Sequence, residues 1–242
     1  MTILLSVPTY DGIVLVSDMR VSDYRSANFS DTAEKLKRVH SHCLFGTVGS
    51  PIYSKADGNV DLDLIEIVSA SLSTFSTSNT TLANPHAIKL DLLERLESKV
   101  HGVKAEFNQE TQFLVYEFAN FGLVGHYFNI MLHRGRPIEI ADDPVVFNAD
   151  PFRDLVHGWT EKRLENRQIP YEVLKNSPSF KLAWSGNLLT TADALALALT
   201  YFKASIHDPM CRSVSPTLEA ISLTKDGISV EVPLGTDISL CI

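Results

Sequence analysis

The chain has few cysteines, no long apolar run and no recognisable export signal. Its three cysteines (Cys43, Cys211 and Cys241) are odd in number and widely spaced, which favours a reducing compartment over a disulfide framework. No stretch of about 18 apolar residues is present, so we expect no membrane-spanning helix. No basic segment followed by an apolar one opens the chain. These absences predict a soluble cytoplasmic protein without a membrane partner.

An excess of positive charge is also missing. Lys and Arg number 21 against 29 Asp and Glu, giving a net charge of −8 with no long basic run. Nucleic acid and anionic membrane surfaces are therefore not expected partners. Apolar residues at 45% and charged residues at 21% are an ordinary globular balance, and no shift in composition marks a boundary. We predict a single domain over residues 1–242.

Two predicted β-hairpins occupy the first fifth of the chain. The apolar runs Thr2–Thr9 and Ile13–Asp18 are joined by an Asp-Gly turn, which is a strong hairpin signal. After a polar loop over Ser22–Ser30, the runs Lys35–Val39 and Cys43–Val48 form a second hairpin. The runs are nearly continuous in apolar residues, which is typical of strands covered on both faces.

The rest of the chain alternates between groups of helices and groups of strands. Apolar residues at helical spacing, with Thr190 or Thr191 as one N-cap, predict helices over 65–75, 86–100, 152–167 and about 191–205. Strands are predicted at 112–119, 126–132, 137–140, 181–185, 218–224 and 228–232. This order favours stacked antiparallel sheets covered by helices, an α+β class, over alternating βαβ units.

Thr2 is the first residue with possible chemistry. Removal of Met1 leaves it with a free α-amino group beside its hydroxyl, so one residue carries a nucleophile and a base. An α-amino pKa near 7.7–8.0 suits a base at neutral pH. Threonine is small enough at position two to favour Met1 removal. A threonine here is also common without any function.

Three further residues supply what such a nucleophile needs. A buried Lys35 ammonium lowers the cost of a developing alkoxide and disfavours a second positive charge on the amine. Asp18, at the end of the second strand, is its expected partner. Gly49, after another apolar run, offers a backbone N–H to an oxyanion. Taken singly, these residues fit a strand end, a solvated charged face and a turn, so the hypothesis depends on their joint spacing.

That spacing resembles the first quarter of a proteasome β-type subunit. The threonine-to-Asp18 step, the Asp18-x-Arg20 pattern, the segment Asp31–Lys35 and the step to Gly49 all match, although the loop between Arg20 and Lys35 is one residue longer than usual. The family includes the ATPase-partnered HslV-type peptidases. The resemblance implies a four-layer αββα sandwich, the N-terminal nucleophile (Ntn) hydrolase fold, with Thr2 as nucleophile.

The later half is similar to the same family more loosely. Trp184-Ser185-Gly186 resembles its Ser-Gly step, and Asp208 resembles the aspartate of the next corner, which implies that Ser185 and Asp208 support the nucleophile's amine. A third supporting serine is replaced by Cys211. The Asp208–Ser213 segment looks most like the bacterial Anbu branch. Residues 152–178 have no counterpart and are interpreted as an insertion.

The resemblance also implies a substrate and an assembly. Val21, Thr47 and Pro51 would line the pocket beside the scissile bond, and none of them is charged. The expected substrate is a peptide or protein, the expected assembly is a homo-oligomeric ring or helical array, and an ATPase partner is left unspecified. No cofactor is expected.

Three alternatives stay open. The chain could be a catalytically silent scaffold subunit, or it could perform a different acyl transfer at the same site, as a peptide ligase or small-amide hydrolase. It could also be an unrelated α/β protein. No metal site is predicted, because His40-x-His42 lacks an evident third ligand and is more typical of a turn.

Overall fold

The computed structural model describes residues 4–22, 29–31, 33–49, 51–54, 60–76, 80–100, 108–120, 122–133, 136–145, 156–157, 178, 181, 188–207 and 214–239. The strands are β1 (Leu4–Pro8), β2 (Gly12–Asp18), β3 (Val21–Ser22), β4 (Phe29–Ser30), β5 (Leu36–His40), β6 (Cys43–Gly49), β7 (Ile52–Ser54), β8 (Val60–Asp63), β9 (Asn108–Ala119), β10 (Gly122–His133), β11 (Glu139–Pro144), β12 (Val156–His157), β13 (Thr217–Thr224) and β14 (Gly227–Asp237). The helices are α1 (Leu64–Phe75), α2 (Pro85–Val100) and α3 (Thr191–His207).

Two five-stranded antiparallel sheets form the body of the fold. Sheet I has the order β12-β1-β2-β13-β14, and sheet II has the order β11-β10-β9-β6-β5. Neighbouring strands in both sheets pair antiparallel, including the two predicted N-terminal hairpins. Two short ladders, β3 with β4 and β7 with β8, lie outside the sheets.

Three apolar cores show how the sheets and helices are layered. One core joins α3 to the outer face of sheet I, and a second joins α1 and α2 to the outer face of sheet II. The third lies between the sheets and contains Leu4 and Leu15 of sheet I with Leu44 and Leu114 of sheet II. Alternate residues of each strand enter different cores, which explains the nearly continuous apolar runs. The predicted α+β class and stacked sheets are confirmed.

Local signals in the sequence fix several element ends. Asp63 caps α1 by accepting hydrogen bonds from the backbone N–H groups of Ile65 and Glu66. Thr190 Oγ1 accepts from the Asp193 N–H at 3.1 Å, so Thr190 is the N-cap predicted for α3. A Cβ on Gly12 would lie 1.8 Å from the carbonyl oxygen of Leu223, so the β1–β2 turn tolerates glycine alone.

The structure corrects the prediction at several places. Ser22 and Phe29–Ser30, in the predicted loop, belong to the paired strands β3 and β4. Val156–His157 is a strand that pairs with Leu4 and Leu5 of β1, where a helix over 152–167 was predicted. Lys181 has helical backbone, where a strand was predicted. β9 and β10 are each twelve residues long, whereas shorter strands were predicted. The hydrogen-bonded ladder between them extends beyond the apolar residues on which the prediction was based. Residues 152–155, 158–177 and 182–185 lie outside the described ranges.

Within the described part of the chain, none of the helices is both long and apolar enough to cross a membrane.

Candidate active site

Lys35 is a buried cation immediately before β5. Only 1% of its surface is exposed. Its Nζ donates to Asp18 Oδ1 at 3.1 Å and to the carbonyl oxygen of Arg20 at 2.5 Å. Burial lowers the pKa of the Lys35 ammonium, and the negative charge of Asp18 opposes that shift. The sequence expectation that Lys35 is buried and paired with Asp18 is therefore met in the structure.

Asp18 is held on its second oxygen as well. It is also almost fully buried, and Oδ2 accepts from the backbone N–H of Arg20 at 3.1 Å and of Ser215 at 3.3 Å. Ser215 precedes β13, so this contact joins segments 197 residues apart. Three donors around one carboxylate hold it in a fixed orientation.

Arg20 and Asp31 form a second ion pair next to the first. Arg20 Nε lies 2.7 Å from Asp31 Oδ1, and Nη2 lies 2.8 Å from Oδ2, so the pair is bidentate. The hydrogen bond from Arg20 is the main cause that lowers the pKa of Asp31. The pair fixes the Arg20 peptide whose carbonyl accepts from Lys35. Sequence reasoning missed this contact, although both residues belong to the spacing pattern that carried the resemblance.

Side chains of β1 and β5 pack closely over Gly46 of β6. A Cβ on Gly46 would lie 2.6 Å from Leu4 Cδ2 and 3.2 Å from Leu36 Cδ2. Glycine at this position of β6 therefore leaves room for the side chains of Leu4 and Leu36, which belong to the same apolar core. The start of β1 lies beside the Lys35–Asp18 pair, because Leu4 pairs with Ser17, the residue before Asp18.

Gly49 ends β6 in a conformation that favours glycine. Its φ is +104°, and a Cβ there would lie 2.7 Å from the carbonyl oxygen of Glu110. Both the backbone and the space require a residue without a side chain. Its predicted function as an oxyanion donor stays a prediction.

The three predicted pocket residues lie in β3, in β6 and just before β7. Thr47 is wholly buried, its backbone N–H donates to the carbonyl oxygen of Lys35 at 3.1 Å, and its hydroxyl has no partner among the described residues. Pro51 is buried, and its carbonyl accepts from Leu64 N–H at the start of α1. Val21 lies in β3. Their contact with substrate stays a prediction.

Four residues that the sequence analysis placed in or next to the predicted site lie outside the described ranges: Thr2, Ser185, Asp208 and Cys211. The structure thus brings together Asp18, Lys35 and the start of β1, and adds Arg20, Asp31 and Ser215.

Comparison with known proteins identifies the fold. Neither the search of family models nor the search of curated proteins finds a match. Among solved structures, the chain matches a chain of the helical assembly of the Anbu complex from Pseudomonas aeruginosa. The alignment covers 99% of this chain and 88% of that one, with a TM-score of 0.59 and 14% sequence identity. The predicted likeness to Anbu is therefore confirmed in structure, and this protein has the fold of an Anbu subunit.

Proposed function

We propose that this protein is an N-terminal threonine hydrolase, a peptidase or amidase of the Ntn class, with Thr2 as nucleophile after Met1 is removed. The observation that carries the proposal is the buried Lys35 ammonium, held by Asp18 and the Arg20 carbonyl. Asp18 follows Ser17, which pairs with Leu4 at the start of β1. Burying the Lys35 ammonium costs solvation free energy, and a buried ion pair returns little net stability for that cost. A chemical function for Lys35 is therefore favoured.

The proposed reaction has two acyl-transfer steps. Thr2 Oγ attacks the scissile carbonyl, and its proton passes to the Thr2 α-amino group directly or through a water. The carbon–nitrogen bond then breaks as the amine leaves with that proton, so that an ester remains on Thr2. A water activated by the same amine hydrolyses the ester and regenerates the hydroxyl.

Lys35 acts electrostatically in this scheme. Two of its three N–H groups are used by Asp18 and Arg20 within the described residues, and we assign the third to Thr2 Oγ. The positive charge stabilises the developing alkoxide and lowers the pKa of the nearby α-amine. Gly49 N–H is assigned to the oxyanion, and its lack of a side chain permits close approach of the substrate.

The remaining assignments follow from the sequence resemblance. Ser185 and Asp208 would orient the α-amine, and Cys211 replaces the third supporting serine. Val21, Thr47 and Pro51 would form an uncharged pocket for a peptide or protein substrate. The helical assembly of the Anbu complex supports a homo-oligomer, while an ATPase partner stays unspecified.

Intact-mass spectrometry of the purified chain tests the proposal. We expect the mass of the chain without its initiator methionine, and one covalent adduct after treatment with a threonine-reactive β-lactone. Thr2→Ala should form no adduct, and Lys35→Ala should form it far more slowly. Lys37→Ala, a neighbouring and half-buried lysine, is the matched control and should react normally.

Two results would overturn the proposal. A chain that keeps Met1 has no free threonine amine, and an adduct that persists in Thr2→Ala lies on another residue. Either result favours the silent scaffold subunit. If Thr2 is acylated, turnover of peptides compared with small amides and with amine acceptors separates a peptidase from an amidase or a ligase.

A further inference from the structure

A histidine, a cysteine and a glutamate meet at the end of β6 opposite Gly49. His40, Cys43 and Glu117 each offer one ligand atom, and these atoms all lie within 4.8 Å of one another. The residues come from three adjacent strands of sheet II, β5, β6 and β9. At about 3.3 Å per residue, the length of β6 separates this cluster by roughly 20 Å from Gly49. It is therefore distinct from the candidate active site.

We propose that His40, Cys43 and Glu117 form a structural zinc site. Imidazole nitrogen, thiolate sulfur and carboxylate oxygen are the three donor types that Zn²⁺ takes from proteins. His40 Nε2 already lies 3.3 Å from Glu117 Oε1. Tetrahedral zinc places neighbouring donors about 3.3–3.8 Å apart, so distances of up to 4.8 Å need to shorten by about 1.5 Å at most.

Burial separates this cluster from an ordinary group of surface acids. Cys43 and Glu117 have no exposed surface, and the His40 side chain is 14% exposed. The Glu117 carboxylate accepts from the backbone N–H groups of Thr81 and Leu82, which orients it. Among the described residues, Glu117 forms an ion pair with His40 and with no Lys or Arg. A divalent cation would therefore compensate the charge of this buried carboxylate.

Thr81 supplies a fourth polar group beside the three ligand atoms. Its hydroxyl lies 3.0 Å from His40 Nε2 and also hydrogen-bonds with Cys43. This oxygen, or a water in its place, is the fourth ligand that tetrahedral zinc requires. Without metal, the same hydroxyl satisfies the polar atoms of the cluster, so the empty site can fold.

Binding requires two proton shifts. His40 Nδ1 accepts from the His42 N–H at 3.2 Å, so Nε2 carries the ring proton before binding. That proton leaves Nε2 and one proton is taken up at Nδ1, which gives up the hydrogen bond from the His42 N–H. The Cys43 thiol loses its proton to solvent as the sulfur–zinc bond forms. One zinc ion thus replaces one net proton at the thiol.

His42, the other histidine of the His40-x-His42 pattern, is not part of this cluster. His42 lies on the other side of the turn, where Nδ1 contacts Ser41 Oγ at 2.8 Å and Nε2 contacts the carbonyl oxygen of Lys225 at 3.2 Å. The fold therefore replaces His42 with Cys43 and Glu117 as companions of His40. It also provides the matched control, a histidine two residues away.

Cobalt and zinc binding to the tag-free full chain tests the site. After removal of metal, Co²⁺ should give a sulfur-to-cobalt charge-transfer band and tetrahedral d–d bands that saturate at one ion per chain, and Zn²⁺ should displace it. Zn²⁺ should also raise Tm by several degrees. Cys43→Ser and His40→Gln should lose both effects, whereas His42→Gln and Cys211→Ser should keep them.

Absence of the charge-transfer band in the wild-type chain would overturn the proposal. So would a band that survives Cys43→Ser, or one that Cys211→Ser abolishes. Circular dichroism and Tm without metal establish whether each variant is folded. If Cys43→Ser does not fold, loss of the cobalt bands in His40→Gln tests the site in its place. The readouts do not involve turnover, so the zinc site and the threonine hydrolase proposal fail independently.

Discussion

The Lys35 ammonium lies 3.1 Å from Asp18 Oδ1, and both side chains are closed to solvent. Removing one partner strands the other charge in the interior, whereas removing both leaves only a packing defect. Asp18→Ala should therefore lower the free energy of unfolding by about 3–5 kcal/mol. The double variant Asp18→Asn/Lys35→Met should recover much of that loss in urea unfolding, yet remain inert towards the β-lactone. Equal losses in the single and double variants would contradict the pairing.

The Arg20–Asp31 pair should matter for reactivity more than for stability. Both side chains are partly exposed, so Asp31→Asn should cost less than about 1 kcal/mol. It should nevertheless slow acylation of Thr2, because the Arg20 peptide loses its anchor and Lys35 loses a fixed carbonyl partner. Rates of adduct formation by mass spectrometry measure this. The control is Asp91→Asn, which breaks the Arg95–Asp91 pair on α2 and should leave the rate unchanged.

Gly49 should tolerate no side chain. Gly49→Ala combines a positive φ with a Cβ 2.7 Å from a backbone oxygen, so we expect a loss of unfolding free energy above the 1–3 kcal/mol typical of backbone strain alone. Gly122→Ala is the matched control, because φ there is +114° and a Cβ would meet nothing within 4 Å. Similar losses for both variants in chemical denaturation would show that the contact with Glu110 relaxes freely.

Glu219 should make stability fall as pH rises. Burial raises the pKa of this carboxyl from 4.5 to about 7, with a smaller contribution from Glu34, while Lys37 opposes the shift. Above pH 4.5 the unfolded chain releases this proton while the folded chain keeps it, so the free energy of unfolding decreases until pH is near 7 and is then level. Glu219→Gln should flatten this part of the profile relative to wild type.

A matched control separates this effect from general titration. Glu139 is exposed on β11, and Glu139→Gln should leave the slope between pH 5 and 7 unchanged. Urea unfolding at half-unit pH steps measures both profiles. A Glu219→Gln profile that runs parallel to wild type would show that the carboxyl is ionised throughout.

Sequence reasoning was accurate where the signal is local. The Asp-Gly turn between β1 and β2, the helical spacing of α1 and α2 and the Thr190 cap each depend on residues a few positions apart. Their hydrogen bonds and apolar faces form within one element or one turn, so the pattern already contains them. The same holds for the position of Lys35 next to a strand.

Where contacts join distant segments, the sequence was insufficient. Val156–His157 adopts a strand because the edge of β1 offers it hydrogen bonds, which no periodicity within 152–167 encodes. Ser215 reaches Asp18 only because β13 pairs with β2. His40 has the local pattern of a turn, and Glu117 comes beside it only through the ladder between β6 and β9.

By itself, the sequence determined the N-terminal hairpins, three of the four predicted helices, the α+β class and the joint spacing of Asp18, Lys35 and Gly49. The tertiary structure alone decided which groups support the predicted Lys35–Asp18 pair and which residues meet at the start of β6. Solvation and strand register act over the whole molecule, so the pairing of Lys35 with Asp18, its support by Arg20 and Asp31, and the meeting of His40, Cys43 and Glu117 exist only once the two sheets are built.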